Sequence, residues 1–170
     1  MKNIILIVSL LFLISCTKKE KETVDTIVSE NTEIEVFNFD QLESFLSSNT
    51  DKTLVVNFWA TWCKPCIKEL PYFEAIQTKY KSDVRVILVS LDFSDKLESQ
   101  LIPFVNENAI QSQVVLLDDP YENEWIPKVD STWSGAIPAT LILNDNKRIF
   151  YEKSFTQEEL EDELLKFKNI

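Results

Sequence analysis

Cys63-Lys-Pro-Cys66 is the segment of this sequence best equipped for chemistry. A thiolate attacks disulfides directly, and two cysteines three residues apart on one helical turn bring their sulfurs close enough to close a small ring. The pair sits where a buried strand should hand over to a helix. Residues 53–59, Thr-Leu-Val-Val-Asn-Phe-Trp, form a nearly continuous apolar run of strand length. Ile67, Leu70, Phe73 and Ile76 then recur every three residues, as on one helix face. At a helix start the first amide N–H groups have no partner inside the helix, and the dipole presents positive potential. A thiolate at Cys63 is stabilised there, which lowers its pKa below the free value of about 8.5. Lys64 adds positive charge beside it. Pro65 has no N–H to waste in the first turn, and its fixed φ suits that turn. Cys63 is then the exposed nucleophile and Cys66, one turn inside, the resolving thiol.

Two other uses of such a pair stand beside this one. Half a zinc site needs a second Cys pair or histidines, and the chain has three cysteines and no histidine. An inert structural bridge is the other, although it has no need of a helix N-terminus. The missing histidine also removes Ser-His and Cys-His catalysis, and no metal site is expected. A single glycine, Gly135, is too few for a phosphate-cradling loop. Acidic residues outnumber basic ones 28 to 17, for a net charge of −11, which argues against nucleic acid as a partner. No separate cofactor is needed if the Cys63–Cys66 disulfide is itself the redox group.

The elements that must position this pair follow from periodicity. Residues 33–37 alternate as a short strand. Asp40 to Glu43 has the form of a capping box opening a helix with Leu42, Phe45 and Leu46 on its apolar face. The helix after Cys63 should run towards Tyr80. Residues 84–91 form a second buried strand, and 94–108 a helix with Leu97, Leu101 and Phe104 inward, interrupted or bent at Pro103. Residues 113–117 form a third strand, and 118–134 a polar, aromatic excursion whose Trp125 and Trp133 suit core or lid packing better than a client groove. Residues 139–143 and 148–151 make a hairpin, and Thr156 with Glu159 caps a last helix buried through Leu160, Leu164 and Phe167. The reading is an α/β fold, a central mixed β-sheet flanked by helices, over residues 33–170.

Residues 1–15 read as a secretory signal: Lys2, an apolar run from Ile4 to Ile14 too short to span well, then Ser15 before Cys16. Leu13-Ile-Ser-Cys16 resembles a bacterial lipobox, which makes Cys16 a lipidation site and residues 16–32 a polar, flexible tether. The expected location is extracytoplasmic, in the periplasm, lipid-anchored to a bacterial membrane where disulfides persist. Cys16 thus accounts for the odd cysteine.

Asn57-Phe-Trp-Ala-Thr-Trp-Cys-Lys-Pro-Cys66 resembles the active-site segment of thioredoxin-like proteins. Pro71 matches that family's helix-bending proline, and Ala136-Ile-Pro-Ala-Thr-Leu-Ile-Leu143 its cis-proline loop. With the lipobox and Trp62-Cys-x-Pro-Cys-x-x-Glu-x-Pro71, the chain is most similar to the TlpA/ResA-like branch. The resemblance implies a thioredoxin-like fold. It makes Trp62, Lys64, Pro65 and Pro138 supports of the site and Ile137 the client-binding residue, with a cis Ile137–Pro138 bond and Gly135 turning the chain into the loop. It implies reduction of disulfides in client proteins, apocytochromes c among them in cytochrome c maturation, and re-reduction by a membrane electron donor. One departure matters. Thioredoxin's buried aspartate is replaced by Asn57, which cannot accept a proton, so Asp92 and Glu69 become the candidates for proton transfer. Lys-Pro between the cysteines resembles the reductant pattern. The rival readings are an oxidant or isomerase of the same fold, a thiol peroxidase, for which Arg85 and Arg148 lie far from Cys63 in sequence, and a non-catalytic binding lipoprotein.

Overall fold

A computed structural model describes residues 33–49 and 51–167. The expected signal segment 1–15, Cys16 and the tether 16–32 lie outside the described residues. Among the described residues no helix is long and apolar enough to cross a membrane.

The chain runs β1 (Glu35–Phe37), α1 (Phe39–Ser47), β2 (Thr53–Trp59), α2 (Lys64–Lys79), β3 (Val84–Ser90), α3 (Ile102–Glu107), β4 (Gln113–Leu117), α4 (Glu122–Val129), β5 (Ala139–Asn144), β6 (Lys147–Tyr151) and α5 (Gln157–Leu165). The strands form one sheet in the order β1-β4-β3-β2-β5-β6. β1, β4, β3 and β2 are mutually parallel, whereas β5 runs antiparallel to β2 and β6 antiparallel to β5. The mixed sheet expected from the sequence is therefore present, with β2 and β3 at its centre.

Why β2 is apolar along almost its whole length is visible in how it divides. Val55, Trp59 and the side chains of α2, α3 and α5 build one core layer, with Leu70, Phe73, Ile76, Leu160 and Leu164. Leu54, Val56 and Phe58 point the other way, into a layer with Phe39, Leu42, Leu46, Trp125, Val129 and Trp133. Both faces are covered, so neither can carry the polar alternation of a solvated sheet.

Several sequence expectations are corrected. α1 starts earlier than Asp40. Asn38 is its cap, accepting from the Gln41 amide at 2.9 Å while Gln41 accepts from the Asn38 amide at 3.0 Å. That register puts Phe39 into the core at the first helical position. β3, expected over 84–91, ends at Ser90. Residues 94–108 are not one helix. A 3₁₀ turn over Ser94–Lys96 leads into a π-turn over Leu97–Leu101, in which the Ile102 amide reaches back to the Leu97 carbonyl, and only then does α3 begin. Pro103 explains this: it cannot donate to the Ser99 carbonyl and would clash with it in an α-helix, so the turn widens. Phe104 packs on the core as expected, half-buried with its ring 5.4 Å from that of Trp59, and Val105 beside it is buried. The excursion 118–134 holds a helix, α4, with Trp125 and Val129 one turn apart on its buried face. Ile67 is only half-buried on α2, whereas Glu69 is fully buried there.

Candidate active site

β2 ends at Trp59, in the core, and the chain turns through Ala60 to Trp62 before α2 begins. The turn is held from below. Asp92, just past β3, accepts from the Thr61 amide at 3.0 Å, the Thr61 hydroxyl at 2.6 Å and the Ser90 hydroxyl at 2.8 Å. It is 4% exposed, so these bonds replace water entirely. Asp92 thereby fixes the segment that delivers Cys63. Asp92→Ala should leave three polar groups short of an acceptor and cost about 2–3 kcal/mol in urea unfolding. A loss below about 0.5 kcal/mol, the range of an inconsequential surface change, would show that the turn holds itself.

Cys63 caps α2. Its backbone is extended, and its sulfur lies 3.3 Å from the Cys66 amide, one of the N–H groups a helix start leaves free. Lys64 and Pro65 open the helix on its exposed side, and Trp62 stands largely in solvent. Cys63 and Cys66 are joined by a disulfide. Cys63 keeps 5% of its surface open and Cys66 none, so only Cys63 offers an incoming sulfur any approach. The opening is narrower than the sequence expectation of an exposed nucleophile. Across it lies the loop before β5, where the Ile137–Pro138 bond is cis and the Ile137 carbonyl oxygen stands 3.9 Å from the Cys63 sulfur.

Beneath the dithiol is a buried polar group. Glu69 lies three residues past Cys66, on the same face of α2, and is 1% exposed. Its carboxylate accepts from the Asn57 side chain at 3.0 Å and from the Phe155 amide at 2.7 Å. Burial pushes its pKa up to about 7, against those two hydrogen bonds, which favour the charged form. Asn57 also reaches Thr140 at 3.2 Å, while its carbonyl oxygen has no hydrogen-bond partner among the described residues. Asn57 and Glu69 are therefore paired in the interior, on the side of the sheet where Cys66 is buried.

Of the residues the sequence assigned to the site, Trp62, Cys63, Lys64, Pro65 and Cys66 lie at the start of α2, and Ile137 and Pro138 lie in the loop that faces Cys63. Sequence reasoning missed Thr61 as the handle for Asp92, Phe155 as a donor to Glu69, and the contacts of Glu152 with the loop before β5. Nothing local signals those pairings, which span 18 to 86 residues. Arg85 is taken up by Asn49 and Asp51, and Arg148 donates to the Val129 carbonyl. Among the described residues no three His, Cys, Asp or Glu side chains come together as metal ligands.

The family model described as Redoxin matches residues 35–164. Thioredoxin-like protein YneN of Bacillus subtilis (strain 168) is 38% identical over 64 residues, 38% of each chain. Thiol-disulfide oxidoreductase ResA of Bacillus thuringiensis (strain Al Hakam) is 30% identical over 118 residues, covering 68% of this chain and 63% of the relative. The chain thus spans less than two thirds of the length of these curated relatives. Among solved structures, a putative thiol:disulfide interchange protein DsbE from Chlorobium tepidum superposes with a TM-score of 0.57 at 25% identity, over 71% of this chain and 83% of that one.

Proposed function

Since the chain belongs to the Redoxin family and has a thioredoxin-like fold, we propose that it is a thiol–disulfide oxidoreductase that reduces disulfides in client proteins. The observation that carries this is the Cys63–Cys66 disulfide at the N-terminus of α2, open to solvent only at Cys63 and overhung by Ile137.

In the reduced enzyme the Cys63 thiolate attacks one sulfur of the client disulfide. The client S–S bond breaks, its other sulfur leaves as a thiolate, and a mixed disulfide joins client to Cys63. Cys66 then attacks the Cys63 sulfur. The mixed disulfide breaks, the second client sulfur departs, and the enzyme is left with the bond seen here. Two electrons pass to the client. Cys66 must lose its proton to attack, and Glu69, one turn further along the same face with a pKa near the working pH, is placed to take it. Each Asp92 oxygen already accepts two hydrogen bonds, from Thr61 and Ser90, against one on each Glu69 oxygen, which suits Asp92 to holding the turn better than to moving a proton. Two electrons must then be returned by a donor, and a membrane-bound donor fits a lipid-anchored, extracytoplasmic protein. Cys16 as the lipidated residue, the periplasmic face of a membrane as the location, and apocytochromes c among the clients complete this reading. The likeness to a thiol-disulfide oxidoreductase, ResA, and to a thiol:disulfide interchange protein, DsbE, supports the thiol–disulfide exchange at its centre.

The deciding measurement is the reduction potential of the Cys63–Cys66 couple, by equilibration with thiol–disulfide buffers. A value near or below about −270 mV, that of thioredoxin, is expected for a reductant. A value near about −120 mV would make the protein an oxidant and overturn the direction proposed here.

A further inference from the structure

We propose that Glu152 and Trp133 are positioning residues that hold the loop 133–138, so that the Ile137 backbone is presented over Cys63 to an extended client segment. The proposal rests on the redox function above and adds the machinery that sets its client-facing surface.

Residues 133–138 belong to no strand or helix. Their backbone groups must find partners outside the regular ladders or remain loose. Two side chains supply them. Trp133 is 5% exposed, wedged against Phe58 of β2, Trp125 of α4 and Phe150 of β6 with ring centroids 4.8, 5.7 and 5.5 Å away. Its indole N–H, anchored by that packing, donates to the Ala136 carbonyl at 2.8 Å. Glu152, immediately after β6, accepts from the Ser134 amide at 3.0 Å and from the Ser134 hydroxyl, and its carboxylate faces the Ala136 amide. The loop is therefore held at Ser134 by Glu152 and at the Ala136 carbonyl by Trp133, groups from two different parts of the fold. Between Ser134 and Ala136, Gly135 adopts φ +90°, and a Cβ there would come within 3.2 Å of Ile126 on α4.

What this clamp leaves over is the next residue. The β2–β5 ladder begins at Ala139, so the Ile137 N–H and carbonyl lie outside it. They stand at the mouth of the dithiol, the carbonyl 3.9 Å from Cys63. An extended segment pairing with that backbone, as a strand adds to a sheet edge, would lay its own disulfide on the Cys63 sulfur. The pairing aims the disulfide only if the loop is fixed, because a displacement of about 1 Å can cost on the order of 10²-fold in rate. Glu152 is exposed and its hydrogen bonds all go to this loop, so its carboxylate serves the loop's position and not the core.

The test uses the full chain with Glu152→Ala, Glu152→Gln and Trp133→Phe, which keeps the ring packing and removes the donor. Two disulfides are compared: an extended peptide carrying one, and 2-hydroxyethyl disulfide, which has no backbone to pair. Amide hydrogen exchange at Ser134 and Ala136 is followed in parallel. Glu152→Ala should lose about 10-fold in kcat/KM on the peptide, mostly through KM, and less than about two-fold on the small disulfide. Ser134 and Ala136 should exchange about 10-fold faster, and Glu152→Gln, which keeps one acceptor, should recover part of both effects. Trp133→Phe should show the same split. Unchanged peptide kinetics would overturn the proposal, and so would equal losses on both disulfides, the mark of a general structural role. A wild-type protein inert toward both would overturn the redox reading, and this inference with it.

Discussion

Cys63→Ser will abolish disulfide reduction, by a factor on the order of 10³ or more as expected when the nucleophile of a coupled pair is removed, whereas Cys66→Ser will leave mixed disulfides standing on Cys63. The asymmetry follows from burial and position. Cys63 has the open edge, the helix-start amide at 3.3 Å and the Ile137 carbonyl across from it. Cys66 has no exposed surface and can reach only the sulfur of Cys63. A client sulfur must therefore meet Cys63 first, and only the internal attack of Cys66 can release it. Turnover of a peptide disulfide, with dithiothreitol returning the electrons, reads the first variant. Intact mass and non-reducing gels of the Cys66→Ser protein after exposure to the same peptide read the second. Adducts accumulating on Cys63→Ser instead would exchange the roles of the two cysteines. A binding scaffold without redox activity would show neither effect.

How far these assignments are legible in the sequence depends on the range of the signal. The strand-to-helix placement of Cys63 and Cys66 is legible because everything it needs is contiguous: the apolar run of β2, the proline at the first helical turn, the apolar spacing of α2. The Thr156–Glu159 capping box at the start of α5 is legible for the same reason. α4 is not. It shows only two buried positions, Trp125 and Val129, and carries Pro127 within it, so its pattern is too short and too interrupted to announce a helix. The cap of α1 is ambiguous because Asn38-x-x-Gln41 and Asp40-x-x-Glu43 are both plausible starts. What decides between them is that Phe39 is buried and its amide is taken by Asp119, eighty positions away.

Glu69 illustrates the limit most clearly. Its sequence position, in a helix with Lys64 and Lys68, reads as a solvated face. Its burial is set by partners brought from β2 and from the segment before α5, neither of which periodicity can supply. The same holds for Glu152, whose meaning lies in a loop on the far side of the β5–β6 hairpin.

That burial makes a prediction with a defined sign. The Glu69 carboxyl titrates near 7 in the folded protein against an ordinary value of 4.5. Between those values the folded chain holds a proton that the unfolded chain has released. Stability therefore falls as pH rises, with slope set by that extra proton. The contribution is complete below 4.5 and is lost as pH passes through about 7, a span of about 3 kcal/mol, since one pKa unit corresponds to about 1.36 kcal/mol. Glu69→Gln should flatten that dependence: denaturant midpoints of the wild type should drop between pH 5 and pH 8 by more than those of the variant. The variant should fold, since its amide oxygen can still accept from Phe155, and a half-turn of the Asn57 amide, whose NH2 now faces the carboxylate, brings the otherwise unpartnered Asn57 carbonyl to the new NH2. The same substitution removes the group proposed to take the Cys66 proton. Resolution of a preformed mixed disulfide should slow by roughly 10²-fold and lose its inflection near neutral pH. Equal pH profiles for the two proteins in unfolding would mean that the carboxyl is not held protonated by its surroundings. Equal profiles in resolution alone would leave Glu69 as a buried structural acid and pass the proton of Cys66 to solvent.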